Sequence, residues 1–375
     1  MDGNHLNISE EFYANPTIAD TQRETDKHCP SCGAHMHYDP ETGMLKCDYC
    51  GETRAFEDPE PPRVEEIPIE DAKERESLQW GSSVKSVICK SCGGESIYDD
   101  LKVSDVCPYC GSNLVVDADA PEAMPPNGVC GFRVTLKSAA ERFKKWIKHR
   151  FFAPNIVQKS AKPEAFTGVY IPYWTFDADS YSTYTARYGI DRTERDSDGR
   201  SHTVTDWYRT SGDFEYFIDD LPEPGTDRYD RSILSQIQPF DTNNSVPYRP
   251  EYIAGFLAER YSIGIDDAWE NGKVSAKSLL ESRIRSKIMN EHNADRVSDL
   301  DVECSFSNVK FKYIMLPVWL SSFKYKDKIY NFMVNGQTGK VGGKTPLAKW
   351  KVTIAVILIL ALFAGLLYLY VTTQN

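Results

Sequence analysis

Basic charge is scarce in the first third of this 375-residue chain, and no secretory leader opens it. Residues 1–20 are polar and mostly acidic where charged, which predicts an N-terminus that stays in the cytoplasm. Residues 1–127 hold 26 acidic and 10 basic side chains, a balance of -16, while the remainder holds 29 acidic and 33 basic ones. Because affinity for a phosphate backbone depends on Lys and Arg, this shortage argues against DNA or RNA binding.

A complete nucleotide-binding loop is also missing. Residues 338–345 approach the P-loop pattern G-x4-G-K-[ST], but Thr338 stands where the pattern requires glycine. The seven His show neither metal-ligand nor triad spacing, and Asp219-Asp220 and Asp266-Asp267 are adjacent pairs, as in turns and helix starts. We therefore expect no catalytic residues and no enzyme activity.

The first third of the chain is instead rich in cysteine. Eight of the ten Cys form four C-x2-C pairs, and these pairs form two units of identical spacing, C-x2-C-x14-C-x2-C, 60 residues apart. Four thiolates at this spacing can surround one zinc ion tetrahedrally, so the sequence predicts two structural zinc ions as cofactors. The predicted ligands are Cys29, Cys32, Cys47 and Cys50 for the first ion and Cys89, Cys92, Cys107 and Cys110 for the second.

Disulfides and redox C-x-x-C pairs are the alternatives to zinc. Disulfides would suit an exported domain, and this chain opens with no secretory leader. Redox C-x-x-C motifs do not occur as two matched motifs, so zinc is favoured over both alternatives. Glycine follows every pair, at Gly33, Gly51, Gly93 and Gly111, and tolerates the positive φ that closes a metal knuckle. Four thiolates and one Zn²⁺ carry a formal charge of about -2, which makes the first third still more acidic.

Residues 352–371 contain no charged side chain. Twenty helical residues extend about 30 Å, the thickness of a bilayer core, so the sequence predicts one transmembrane helix rather than a buried core helix. Lys344, Lys349 and Lys351 precede the run, and Trp350 and Tyr370 lie near its ends. These flanks predict a single-pass cell-membrane protein with its N-terminus in the cytoplasm and its C-terminus outside.

An α+β body is predicted for residues 128–345. Ser138 and Glu141 match a capping box for a helix ending near 149, and Leu280, Ile284 and Ile288 recur every four residues on a helix of about 275–291. Alternating, aromatic-rich segments predict strands. Their bounds are 169–188, 203–217, 308–315, 319–325 and 328–334.

The predicted fold class is therefore α+β, with two small rubredoxin-like zinc ribbons, a mixed body rich in antiparallel strands, and one C-terminal transmembrane helix. The predicted segments, in chain order, are a polar tail at 1–26, ribbon one at 27–56, an acidic linker at 57–84, ribbon two at 85–116, a linker at 117–127, the body at 128–345, a basic juxtamembrane segment at 346–351, the transmembrane helix at 352–371 and an external tail at 372–375.

Several segments together resemble a known family. They are the tandem CPxCG-type pairs, GVYIPYWTFDA at 168–178, VPYRPEYIAGF at 246–256, LPVW at 316–319, YNFMVNGQTGKVGGKTP at 330–346, and the final apolar helix. The chain resembles bacterial tandem zinc-ribbon membrane proteins, which are labelled TFIIB-type zinc ribbon or related to primosomal protein N′. Some relatives look like membrane anchors for SPFH (flotillin-like) and PspA-like proteins, so the resemblance implies such partners and a role in envelope stress.

Three functions remain open from the sequence. The first is a non-enzymatic, membrane-anchored zinc-ribbon scaffold or adaptor that docks partner proteins at the cytoplasmic face of a bacterial membrane. The second is a nucleic-acid-associated zinc-ribbon factor linked to DNA replication, and the third is a membrane enzyme whose site the sequence conceals. The acidity of the cysteine-rich third and the incomplete P-loop favour the first of these three functions.

Overall fold

A computed structural model describes most of the chain after residue 28. The described residues are 29–34, 36–56, 63–72, 84–89, 93–99, 109, 115–118, 124, 126–154, 157, 163–197, 199–325 and 328–374.

The strands within these residues range in length from two to 30 residues. They are β1 (Met36–Asp39), β2 (Met44–Cys47), β3 (Thr53–Arg54), β4 (Ile67–Pro68), β5 (Val84–Cys89), β6 (Glu95–Asp99), β7 (Val115–Ala118), β8 (Gly128–Val129), β9 (Phe166–Arg195), β10 (Ser201–Pro224), β11 (Val246–Pro247), β12 (Leu257–Ala258), β13 (Arg296–Tyr325), β14 (Lys328–Asn335) and β15 (Val341–Gly343).

The α-helices are α1 (Leu136–Lys148), α2 (Arg231–Ile237), α3 (Pro250–Ile253), α4 (Ile265–His292) and α5 (Lys349–Gln374).

One large antiparallel sheet dominates the body. Its centre is the antiparallel pair β9 and β13, with β10 on the other side of β9 and β14 on the other side of β13. Only the short strands β8 and β12 add parallel pairings among the described residues. The prediction of a mixed α+β body is therefore corrected: segments predicted as separate strands, 308–315 and 319–325, belong to the single strand β13.

The first part of β9 is buried on both faces. Its even-numbered residues, such as Tyr170 and Trp174, pack with α1 and with Phe132, and its odd-numbered residues, such as Ile171 and Tyr173, pack with α2. All residues from 168 to 178 are buried, so this stretch shows no alternation of apolar and polar letters.

Beyond Ala178 the three long strands leave the body as an extended arm, made of 179–195, 201–217 and 296–307. In β9 buried and exposed residues then alternate, as expected for a sheet with one covered face. Helix α4 covers that face with a ridge of residues about four apart: Ile265, Ala268, Gly272, Ala276, Leu280, Ile284 and Ile288. Both outer strands bulge where the arm begins, at Ile218/Leu221 and Ser307/Lys310.

The two helix predictions were right in kind and wrong at their starts. Helix α1 begins at Leu136, because Thr135 is the N-cap and its hydroxyl accepts a hydrogen bond from the Ser138 amide at 3.2 Å. Ser138 was predicted to be the cap itself. Helix α4 begins at Ile265, ten residues before the predicted start, because Ala268, Gly272 and Ala276 continue the ridge with small side chains.

The prediction of a transmembrane helix is wrong. Residues 352–371 lie in α5, but no helix in the part of the chain that the structure describes is both long and apolar enough to cross a membrane. This finding contradicts the single-pass placement in the cell membrane and the topology drawn from it.

The predicted fold class is also corrected in its second zinc ribbon. The described residues contain one cluster of four cysteines, where two ribbons were predicted. Strand β5, in the region of the second set of cysteines, pairs with β6 on one side and β7 on the other, and β6 pairs with β12 of the body. This part of the chain is therefore continuous with the large sheet, and among the described residues β1, β2 and β3 form a separate small sheet.

Candidate metal centre

Two tight turns bring the first four cysteines together. The Gly33 amide donates to the Cys29 carbonyl at 2.8 Å, and the Gly51 amide donates to the Cys47 carbonyl at 2.9 Å. Both glycines have positive φ, +70° and +79°, as the C-x2-C-G sequence predicted. The two turns repeat one geometry, so each presents two sulfurs to the same point.

The four sulfurs have the spacing that a zinc ion requires. Cys29 Sγ lies 3.4 Å from Cys50 Sγ, and Cys32 Sγ lies 3.6 Å from Cys47 Sγ. All four ligand atoms lie within 4.8 Å of one another. A tetrahedral ion with Zn–S bonds of about 2.3 Å separates its sulfurs by about 3.8 Å, so this cluster can hold a metal ion.

The thiols of this cluster differ in acidity: the Glu52 amide lowers the pKa of Cys50, but a hydrogen bond with Cys29 and burial outweigh it and raise that pKa to about 12, whereas the pKa of Cys47 falls. The pKa of the Cys47 thiol is lowered to about 7, chiefly because the Cys50 amide donates to its sulfur, with a further contribution from the Tyr49 amide and against the effect of burial. Because metals bind the thiolate, this pKa makes Cys47 a ready ligand near neutral pH. His37 is not positioned as a metal ligand, since its Nδ1 lies 3.3 Å from Asp48 Oδ2.

Tyr38 fixes this ribbon to the body. Its hydroxyl donates to the Phe132 carbonyl at 3.2 Å, and its amide donates to the Ala254 carbonyl at 3.0 Å. The ring is 5 % exposed and lies 5.8 Å from the Tyr252 ring, measured between centroids. Burial raises the pKa of this phenol to about 12, so it remains a donor at neutral pH.

Two glycines of the body allow this close contact. A Cβ added at Gly131 would lie 2.6 Å from the Tyr38 hydroxyl, and one added at Gly255, whose φ is +87°, would lie 2.7 Å from the His37 Cβ. The sequence analysis missed both positions and Tyr38. A glycine within an aromatic-rich stretch, as in Ala254-Gly255-Phe256, is the one available signal, and it does not reveal what approaches it.

Most of the second predicted ligand set lies outside the described residues. This holds for Cys92, Cys107 and Cys110, whereas Cys89 is the last residue of β5. The structure therefore does not show two metal ions. Tyr109 is described, and its ring lies 5.8 Å from the Tyr229 ring and 5.1 Å from the Arg228 guanidinium.

Glu259 is a buried carboxyl that the sequence analysis did not single out. It is fully buried, accepts a hydrogen bond from the Thr226 hydroxyl at 2.7 Å, and lies 3.3 Å from Arg228 Nε. Burial raises its pKa to about 7 despite these partners. Perturbed carboxyls mark active sites in many proteins, but this one is enclosed by the side chains that bind it, and we interpret it as a structural link.

Asp177 is a second buried carboxyl, at the base of the arm. Burial and a hydrogen bond shared with Glu66 raise its pKa to about 7. It accepts a hydrogen bond from the Asp220 amide at 2.7 Å, and Lys312 Nζ lies 2.5 Å from Asp220 Oδ1. The network joins β9, β10 and β13 at the bulges, and Glu66 adds the segment beside β4.

The uncovered face of the arm is the other distinctive surface. We call it the open face, and its residues lie on three adjacent strands in register. All are exposed, five are acidic, and none is basic. They are Asp179, Tyr181, Thr183, Thr185, Ser211, Asp213, Glu215, Phe217, Asp301, Glu303, Ser305 and Ser307.

Comparison with known proteins gives one informative match. The chain is 27% identical over 325 residues to the uncharacterized protein YdjG of Bacillus subtilis (strain 168), covering 86% of this chain and 91% of that protein. No protein-family model and no solved structure matches the chain.

Proposed function

We propose that the protein is a non-enzymatic adaptor that docks partner proteins, and that zinc maintains its shape. The observation that supports this function is a closed set of four cysteines on a ribbon fixed to the body by Tyr38. Four protein ligands leave no coordination position for water or substrate, so the metal stabilises the fold and takes no part in a reaction.

We extend the zinc assignment to both predicted sites, with Cys89, Cys92, Cys107 and Cys110 as the second ligand set. SPFH/flotillin-like and PspA-like proteins are the proposed partners, on the strength of the family resemblance. Charge supports protein partners over nucleic acid, because the first 127 residues carry -16 before the thiolates are counted.

The test uses the full chain with purified SPFH/flotillin-like and PspA-like proteins, beside single- and double-stranded DNA and RNA. We expect a protein partner to bind and each nucleic acid to bind no better than about 100 µM at 0.15 M salt, the weak end of non-specific affinity. Cys29→Ser should weaken the protein complex, and Cys304→Ser is the matched control, since Cys304 lies in the arm outside the cluster.

Two results would contradict the adaptor. Micromolar nucleic-acid affinity that falls steeply between about 50 and 200 mM salt would favour the replication-linked alternative. Failure of both protein classes to bind, with the ribbon shown to be metal-loaded, would remove the proposed partners.

A further inference from the structure

The open face carries one sign of charge along three paired strands. Neighbouring strands place Asp213 and Glu303 on opposite sides of Thr183, and Glu215 beside Tyr181. No Lys or Arg forms an ion pair with Asp213, Glu215 or Glu303 among the described residues. Two aromatic side chains stand on the same face, Phe217 at 55% exposure and Tyr181 at 45%.

The outer face of α1 has the opposite charge. Lys144, Lys145 and Lys148 are exposed there, and Arg150 follows with its guanidinium 4.0 Å from the centre of the Trp146 ring. Phe151, directly after the helix, is 71% exposed. We call this surface the basic face. Basic and aromatic side chains are thus combined on it, as acidic and aromatic ones are combined on the open face.

The two faces also match in length. Helix α1 has 13 residues and extends about 20 Å. The open face runs from residue 179 to residue 185 along β9, which is also about 20 Å at the rise of a strand. An exposed sheet face of this width can receive one helix, since helices pack on sheets throughout globular proteins.

We propose that the open face of one molecule binds the basic face of a second copy of the same chain. The inference rests on the proposed adaptor function and deepens it, because self-association gives each assembly several partner-binding ribbons. Lysines of α1 then oppose Asp213, Glu215 and Glu303, and Phe151 packs near Phe217. Aromatic contacts supply affinity, and the charges fix the orientation.

A second copy of the chain provides the basic surface that the acidic open face requires. Within α1, Glu141 is the acidic residue of the outer face, and it precedes the lysines by one turn. At the far end of the arm the charge changes sign, with Arg187 3.6 Å from Asp299. The acidic surface is therefore bounded, and a basic helix in register with residues 179–185 meets carboxylates, hydroxyls and aromatic rings of the open face, none of whose residues is basic.

The experiment reverses the charge of each face separately. One variant carries Asp213→Lys and Glu215→Lys, the other carries Lys144→Glu and Lys145→Glu, and Lys277→Glu on the exposed side of α4 is the control. Association of the full chain is measured by sedimentation velocity over a range of concentration and salt, in mild detergent that covers the exposed apolar side chains of α5.

We expect the wild type and Lys277→Glu to self-associate, and each face variant alone to lose at least about tenfold in affinity. An equimolar mixture of the two face variants should associate again, because the reversed charges are complementary. The mixture also guards against misfolding, since an unfolded variant cannot restore the complex.

A wild type that stays monomeric at low salt would overturn the inference, and so would a mixture that does not associate. Binding of SPFH/flotillin-like or PspA-like protein to the monomeric chain would show that the adaptor function stands without self-association. Loss of both would remove the function as well.

Discussion

Individual residues divide into those whose role is local and those whose role depends on distant neighbours. The first four cysteines and the positive φ of Gly33 and Gly51 are of the first kind, because a C-x2-C-G turn determines its own geometry. Tyr38 is of the second kind, because its partner Phe132 is 94 residues away. Glu259 also depends on distant neighbours, because its role requires Thr226 and Arg228 to fold beside it.

At the first metal centre we predict that Cys29→Ser lowers the zinc content by one ion per chain. Cys29 is buried and its sulfur is 3.4 Å from that of Cys50, so three thiolates and a hydroxyl bind zinc far more weakly. Metal analysis of the purified protein measures the loss. Cys304→Ser should leave the zinc content unchanged, and an unchanged content in Cys29→Ser would show that these cysteines hold no metal.

The pKa of Glu259 predicts a pH dependence of stability. Its folded pKa, about 7, is above its ordinary value of 4.5, so the folded state binds the proton more tightly. The contribution is present in full below about pH 4.5 and is lost as pH rises to about 7, amounting to at most about 3 kcal/mol. The free energy of unfolding should therefore fall over this window because of Glu259.

Urea unfolding of Glu259→Gln at several pH values between 4.5 and 8 checks this prediction. The slope of unfolding free energy against pH should become less negative in Glu259→Gln, and the exposed Glu303→Gln should keep the wild-type slope. Asp177, whose pKa is also raised to about 7, leaves part of the dependence in both variants. Equal slopes in wild type and Glu259→Gln would contradict the assignment.

Among the secondary-structure elements, type was easier to predict than extent. Alternation in β9 and β10 and the four-residue recurrence in α4 were visible in the sequence. The prediction ended one strand at Met315 and began the next at Trp319, on either side of Leu316-Pro317-Val318. The strand continues, since Pro317 pairs with Tyr170 and its carbonyl accepts a hydrogen bond from the Gly336 amide at 2.8 Å.

For the arm we predict that Ile284→Ala costs about 3 kcal/mol of unfolding free energy. Ile284 is fully buried and packs with Tyr184, Ile288 and Val302, so its loss leaves a cavity between α4 and the sheet. Val274→Ala is the matched control on the same helix, because Val274 is 71% exposed, and should cost less than about 0.5 kcal/mol. Urea denaturation compares them, and equal costs would show that α4 is not held by this ridge.

The arrangement of the whole molecule could be predicted least. Sheet order depends on contacts between distant segments, such as β4 at residue 67 pairing with β13 at residue 311. The uncharged segment 352–371 was interpreted as a membrane helix from its length, its lack of charge and its flanking residues, and this prediction was wrong. The cysteine spacing predicted the one cluster of the described residues that could hold a metal ion, and gave no sign that the ribbon and the body share the contacts of Tyr38 and Ala254.

Because of these shared contacts, we predict that zinc removal affects a defined part of the body. The ribbon has only a small apolar core, Met36 and Leu45 with two cysteines, so it unfolds when a chelator removes the metal. Unfolding takes Tyr38 away from the Ala254 carbonyl and uncovers α3. Hydrogen exchange at residues 252–256 should then become at least about tenfold faster, while exchange in α4 stays as slow as before.

Hydrogen-exchange mass spectrometry before chelation, after it, and after zinc is returned measures this effect. Returned zinc should restore slow exchange at both the ribbon and residues 252–256, which separates metal loss from damage. Faster exchange throughout α4 would show that the metal supports the entire fold. Exchange that changes only within the ribbon would show that Tyr38 does not couple it to the body, since Tyr38 contributes the hydrogen bond to Ala254 and the ring contact with Tyr252.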